Sequence, residues 1–255
     1  MSELADAGHP MPEKTGLAED GRAPGVDLSF LDGAGEDYFT RLFVFMYGDR
    51  NWVVNNSTMQ DYSRRAFIGG SVNGLSDLVA DRLGTTGDKV GMDLAAGSRA
   101  QALRDLLDSG VLGRALATNY RDRMPRKASR DDLDHRDGNL THHGTWREIV
   151  GWQELHAPEG FDLIMHRPVG GLQELKPATY QAAARILFDM VKPGGMMFSQ
   201  VPRRVMNIDG GLRDLCRSVR SGGEVEDVVT TGERPGGRRP KDESDFYAVL
   251  LKSGQ

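Results

Sequence analysis

Apolar positions along the chain alternate between short buried runs and longer stretches of helical spacing. Val90-Gly91-Met92-Asp93-Leu94 is a short run that leads into a turn of small residues, Ala95-Ala96-Gly97-Ser98. Arg99 to Leu107 follows at once, with Leu103, Leu106 and Leu107 at helical spacing. A strand, a small-residue turn and a helix N-terminus set backbone N–H groups against a ligand, and small side chains let that ligand approach. Similar runs predict strands near 113–118, 161–166, 195–201, 224–229 and 246–252, with a further strand, not placed, between 118 and 160. Trp146–Val150 reads as a helix beyond that strand. Ala183–Val191 is helical, and Lys192-Pro193-Gly194-Gly195 is expected to end it. Strands alternating with helices predict an α/β fold.

Ahead of this region the pattern changes. Residues 1–26 are rich in Gly, Pro, Ala and acids without periodicity, and read as a disordered tail. Residues 27–84 read as a helical N-terminal extension: Phe39, Leu42, Phe43, Phe45 and Met46 recur at helical spacing, and a second helix covers Val72–Leu83 with Gly84 as its C-cap. Residues 85–255 make the α/β domain. There is no internal repeat.

Composition narrows the choice of function. The 255 residues are 38% hydrophobic, enough for one buried core plus an extension. A net charge of −5 and a pI near 5.7 do not favour nucleic-acid binding. The basic clusters at 121–130 and 234–241 read as loops. Cys216 is the only cysteine, so no disulfide forms within the chain and no cysteine metal cluster is possible. Neither a signal-peptide pattern nor an apolar run of membrane-spanning length is seen, and a cytoplasmic location is expected.

The turn at 95–98 fits neither common nucleotide fingerprint. No Lys-Ser/Thr pair follows it, as a P-loop requires, and of G-x-G-x-x-G only Gly97 is present. An Asp at the strand end followed by small residues instead resembles motif I of the class I S-adenosylmethionine (SAM)-dependent methyltransferases. Downstream features strengthen the resemblance. Phe161-Asp162-Leu163-Ile164 is similar to that family's fourth strand, and Leu187 to Gly195 to its "L-K-P-G-G" helix end. Glu224–Val229 and Phe246–Lys252 are similar to its final strand pair. The resemblance spans about residues 85–253. It implies a Rossmann-like, seven-stranded, mostly parallel sheet with an antiparallel last strand, SAM as cofactor, no metal, and a helical N-terminal lid.

Site assignments follow from the resemblance and from chemistry. Asp93, Ala95 and Gly97 would hold the amino-acid part of SAM, although Asp93 would equally serve as a helix cap. Asn119 stands where the family has an acid for the ribose hydroxyls, with Asp122 as a substitute. Gly138 and Asn139 stand where the family binds adenine, although Asp137-Gly138-Asn139 would form a turn anyway. His166, at the end of the fourth strand, would touch SAM and accept a proton from the nucleophile. Arg167 would hold an acceptor carboxylate by a two-pronged contact. Tyr62, with Tyr47, Trp52 and Tyr180, would offer an aromatic face to the sulfonium. The adjacent His142 and His143 read as a pair without a role. Motif IV is His166-Arg167-Pro168-Val169, not N/D-P-P-Y/F, so methylation of DNA bases is not expected.

The expected function is therefore methyl transfer to a small-molecule acceptor in biosynthesis, without nucleic-acid or membrane partners and with a homodimer as a possible assembly. Two alternatives remain open at this point. One is an enzyme of the same fold that uses SAM's aminocarboxypropyl group, by transfer or by cyclisation to azetidine-2-carboxylate, and releases methylthioadenosine. The other is a non-catalytic SAM-binding module.

Overall fold

The computed structural model describes residues 26–32, 58–66, 73–94, 96–97, 99–119, 130–167, 172, 177–202, 209–230 and 245–254. The helix expected around Phe39–Met46 lies outside them, as do the 1–25 tail, Tyr47 and Trp52. Six helices and seven strands are described. After a short 3-10 turn at Ser29–Leu31 come α1 (Met59–Ala66), α2 (Gly74–Leu83), β1 (Lys89–Leu94), α3 (Gln101–Asp108) and β2 (Leu112–Asn119). Then follow β3 (Leu133–Asp137), α4 (His143–His156), β4 (Phe161–His166), α5 (Pro177–Asp189), β5 (Val191–Pro202), α6 (Asp209–Ser221), β6 (Val225–Thr230) and β7 (Asp245–Lys252).

The strands form one sheet in the order β3-β2-β1-β4-β5-β7-β6. The first five positions are parallel, and β7 runs antiparallel to both of its neighbours. This is the Rossmann-like sheet with an antiparallel last strand that the resemblance implies. The chain winds outward from β1 to β3, then returns to lay β4 on β1's other side. The C-terminal ends of β1 and β4 therefore flank the point where the winding reverses, and there an open α/β sheet leaves a crevice.

Strand alternation sends side chains to two layers. Met92, Leu94, Ile164 and Met197 pack with Trp146, Tyr180, Leu187 and Leu212 of α4, α5 and α6. Ala115, Ala117, Leu163, Met165 and Phe198 pack with Met59, Tyr62, Leu75, Val79 and Leu103 of α1, α2 and α3. The described parts of the N-terminal extension thus enter both layers: Leu28 and Leu31 join the first, α1 and α2 the second. A Thr58–Asp61 capping box starts α1, and the Met59 N–H donates to Asp105 Oδ2 of α3 at 3.0 Å.

At the N-terminal edge of the sheet, buried Asp162 accepts from the Val90 N–H at 2.8 Å and pairs with Lys192 at 2.6 Å. Lys252 Nζ donates to the carbonyls of Phe188, Asp189 and Val191, which close α5 and open β5. Arg82 of α2 donates to the carbonyls of Gly194 and Lys252.

One expectation is corrected, and two are located. α5 ends at Asp189, so Lys192-Pro193-Gly194-Gly195 is not its terminus but a bulge in β5. These four residues lie between the partners of Phe161 and Leu163, where β4 has only Asp162. Gly195 is required there because a Cβ would stand 2.9 Å from the Asp162 carbonyl oxygen. The unplaced strand is Leu133–Asp137, and Trp146–Val150 lies within α4. His142 and His143 open that helix, with His143 Nε2 3.3 Å from Asp32.

Candidate functional site

Three adjacent strands end in buried polar side chains with an unmatched atom. Asp93, next to last in β1, is 1% exposed, and its Oδ1 has no hydrogen-bond partner. It points to the α1–α3 side, since Met92 and Leu94 take the other. Burial pushes its carboxyl well above the 3.8 of a free side chain, against the opposing charge of Arg167. Asn119 ends β2. Its Nδ2 lies 3.4 Å from His135 Nδ1, its carbonyl accepts from the Gly138 N–H at 2.7 Å, and its Oδ1 is buried without a partner. His166 ends β4, beside Leu94 of β1. It is 1% exposed, and its Nε2 is unpartnered. Burial lowers its pKa to about 3, so the imidazole is neutral.

The turn after β1 is tight. The Ala96 N–H donates to the Thr118 carbonyl at 3.0 Å, and the Ala100 N–H to the Gly97 carbonyl at 3.1 Å. Gly97 has φ +76, which glycine adopts without strain. Ala100 is fully buried in the left-handed region, at φ 44 and ψ 46, and α3 begins after it at Gln101 rather than at Arg99. The Asp93 carboxylate makes no hydrogen bond to this helix. Ala95 and Ser98 lie outside the described residues, as does Asp122.

The Gly138–Asn139 corner is engaged internally. A Cβ on Gly138 would meet Thr145 Oγ1 at 2.3 Å, so this glycine lets α4 close on the strand end. Asn139 Oδ1 accepts from the Thr141 N–H at 2.9 Å and from its hydroxyl at 2.8 Å. That oxygen closes a turn, and both of its lone pairs are in use. The adenine amine expected there finds no open acceptor on Asn139 in this structure.

Tyr62 packs edge-on against Phe198, with ring centroids 5.6 Å apart and planes at 77°. Phe198 and His166 point to opposite faces, so Tyr62 and His166 are not brought together. Arg167, immediately after β4, sets its charge against Asp93. Two partners of His166 went unnoticed in this role in the sequence. Tyr180 Oη and Ser199 Oγ each stand 3.4 Å from its Nδ1, and the Tyr180 ring stacks at 5.6 Å and 25°. The available signal was Ser199-Gln200, two polar residues directly after the apolar run Met196–Phe198 of β5.

Among the described residues no group of three or more His, Cys, Asp or Glu side chains is arranged to hold a metal ion, and no helix is long and apolar enough to cross a membrane. No family model and no curated protein matches the chain. Several solved structures resemble it. They include an N-methyltransferase, NodS from Bradyrhizobium japonicum, at 13% identity over 78% of this chain and 99% of that one, with a TM-score of 0.42. An rRNA methylase from Streptococcus thermophilus matches at 13% identity over 69% and 93%, also at 0.42. The Methanococcus jannaschii fibrillarin pre-rRNA processing protein matches at 16% over 67% and 69%, again at 0.42.

Proposed function

We propose that this protein is a SAM-dependent methyltransferase acting on a small molecule. One observation carries the reading: unmatched buried atoms of Asp93, Asn119 and His166 stand at the ends of three neighbouring strands at the reversal of the sheet, Asp93 and Asn119 toward the α1–α3 face and His166 toward the α4–α6 face. A buried polar atom without a partner costs about 1–3 kcal/mol, so three at one edge of the sheet suit a ligand that supplies the missing groups. The Asn119 oxygen is an acceptor, and SAM presents donors: an α-ammonium and a ribose diol.

In this reading, Asn119 Oδ1 accepts from a ribose hydroxyl, held in that orientation by the contact of its Nδ2 with His135. Asp93 balances the ammonium, and its carboxyl ionises as that charge arrives. Gly97 leaves the backbone open to the amino-acid end of the ligand. SAM supplies an activated methyl group on a sulfonium, so the protein's share is to orient and to exclude water. His166 is a poor store for a proton, because a buried imidazolium would have no counter-charge. It serves as a neutral hydrogen-bonding group for the nucleophile, and Arg167 sits close enough to Asp93 to tune its charge. Residues 85–255 carry the site. The acidic pI supports a small-molecule acceptor over a polyanionic one.

Calorimetry with SAM on the wild type, Asp93→Ala and Gly97→Val tests the site, and mass spectrometry of the nucleosides tests the chemistry. Wild-type binding that both substitutions weaken, with S-adenosylhomocysteine formed during an acceptor screen, is the expected result. Absence of SAM binding by the wild type refutes the cofactor. Methylthioadenosine from SAM alone refutes methyl transfer.

A further inference from the structure

We infer that Tyr180 and Ser199 are positioning residues that fix the tautomer of His166, placing its proton on Nδ1 and leaving Nε2 as a bare lone pair. The inference deepens the reading above and rests on it for its functional meaning. Two hydroxyls stand at the same distance, 3.4 Å, from one ring nitrogen. A single lone pair on Nδ1 would take one of them well and leave the other idle. An N–H shared between two oxygens uses both as acceptors, the three-centre arrangement that proteins employ elsewhere, with the two hydroxyl protons turned away from the ring. The other ring nitrogen points the same way. Nε2, on the far side of the ring, is buried and has no partner. With the proton on Nδ1, the unmatched atom is an acceptor. With the opposite tautomer it would be an orphaned N–H, the rarer and costlier defect in a folded interior. Stacking of the Tyr180 ring on the imidazole, and pairing of Ser199 with His166 across β4 and β5, hold both hydroxyls in place.

The consequence is a choice of ligand chemistry. An imidazole locked in this form takes a hydrogen bond from its ligand and gives none. The group that fits against Nε2 is an N–H or O–H, as on an amine or hydroxyl nucleophile, and not a carboxylate or a ketone oxygen.

The test is the long-range ¹H–¹⁵N spectrum of the full chain labelled at its histidines, with His166 assigned through His166→Gln. No ligand is added, so the result is independent of whether SAM binds, and calorimetry on the wild type reports that separately. The expected wild-type spectrum shows a pyrrole-like Nδ1 and a pyridine-like Nε2. In Tyr180→Phe/Ser199→Ala the tautomer ratio should move toward Nε2–H by about three- to tenfold, the worth of one hydrogen bond, and each single substitution should move it less. Should the double variant fail to fold, the wild type and the single variants decide. A pyrrole-like Nε2 in the wild type, or a ratio that none of the variants moves, overturns the inference.

Discussion

Replacing Asp93 by Asn should make the protein more stable and a worse binder. The carboxyl is fully buried with an unmatched Oδ1, and burial holds its pKa well above 3.8, with only Arg167 opposing. The sign follows from proton linkage. The folded state holds this proton more tightly than the unfolded chain does, so its contribution is intact below pH 3.8 and is lost as pH rises toward the folded pKa. Each pH unit in that window costs about 1.4 kcal/mol. Asn cannot ionise and escapes the loss, although its amide adds a donor that itself needs a partner. A net gain of about 1–3 kcal/mol at pH 8 is expected for Asp93→Asn. At roughly 2–4 °C per kcal/mol for a chain of this size, Tm should rise by several degrees. The gap between variant and wild type should close as pH falls to about 4. SAM affinity should drop by about tenfold or more, the worth of a hydrogen bond to a charged group. Calorimetric melting from pH 4 to 8, with SAM titrations at pH 8, measures both. A variant that melts no higher than the wild type at any pH, with unchanged SAM affinity, would refute the account of a strained, ligand-directed carboxyl.

Three further outcomes are expected. Gly195→Ala should cost about 1–3 kcal/mol, because its Cβ would press on the Asp162 carbonyl at 2.9 Å and force β4 and β5 apart; a denaturant midpoint equal to the wild type's would contradict this. Lys252→Met should cost about 1–2 kcal/mol by stripping donors from the three carbonyls at the junction of α5 and β5, read as a lower denaturant midpoint with an unchanged slope. Asn119→Asp should tighten SAM binding by up to about tenfold, since a carboxylate is the stronger acceptor for a ribose hydroxyl; weaker binding by titration calorimetry would mean that this side chain does not meet the ribose.

Much of the fold was legible because buried strands write their burial into the sequence. Met92, Leu94, Leu163, Ile164 and Met165 lie in the middle of the sheet, covered on both faces, and read as continuous apolar runs. β3 resisted placement for the converse reason. It is an edge strand, Leu133-Asp134-His135-Arg136-Asp137, and Leu133 is its one apolar residue. The candidate site was legible in part. A strand-end Asp and a small-residue turn pointed to Asp93 and Gly97, and the structure places them at the end of β1 and in the turn after it. Nothing in the residue pattern, however, disclosed that Ala100 takes a left-handed conformation or that the Asn139 oxygen is consumed by Thr141. Nor did it show Ser199 meeting His166, since that contact joins two strands 33 residues apart. Such properties depend on which atoms meet across the sheet, and spacing along one strand does not encode them.

Where the informative residues lie decides how far the resemblance reaches. Its two most specific stretches, Phe161-Asp162 and Lys192 to Gly195, meet one another: Asp162 pairs with Lys192, and its carbonyl stands against Gly195. They meet at the N-terminal edge of the sheet, away from the strand ends that carry the unmatched atoms. Their work is to join β1, β4 and β5, whatever is bound at the opposite edge. At that opposite edge the chain departs from the pattern, with Asn119 for an acid and Asn139 closing a turn. In the proposed function, a shared architecture is thus fixed by one edge, while the acceptor is chosen at the other, by a neutral imidazole, the two hydroxyls beside it and a carboxyl whose pKa burial raises. The acceptor has to be sought from the chemistry of those few side chains, with an N–H or O–H nucleophile that carries no negative charge as the first class to screen.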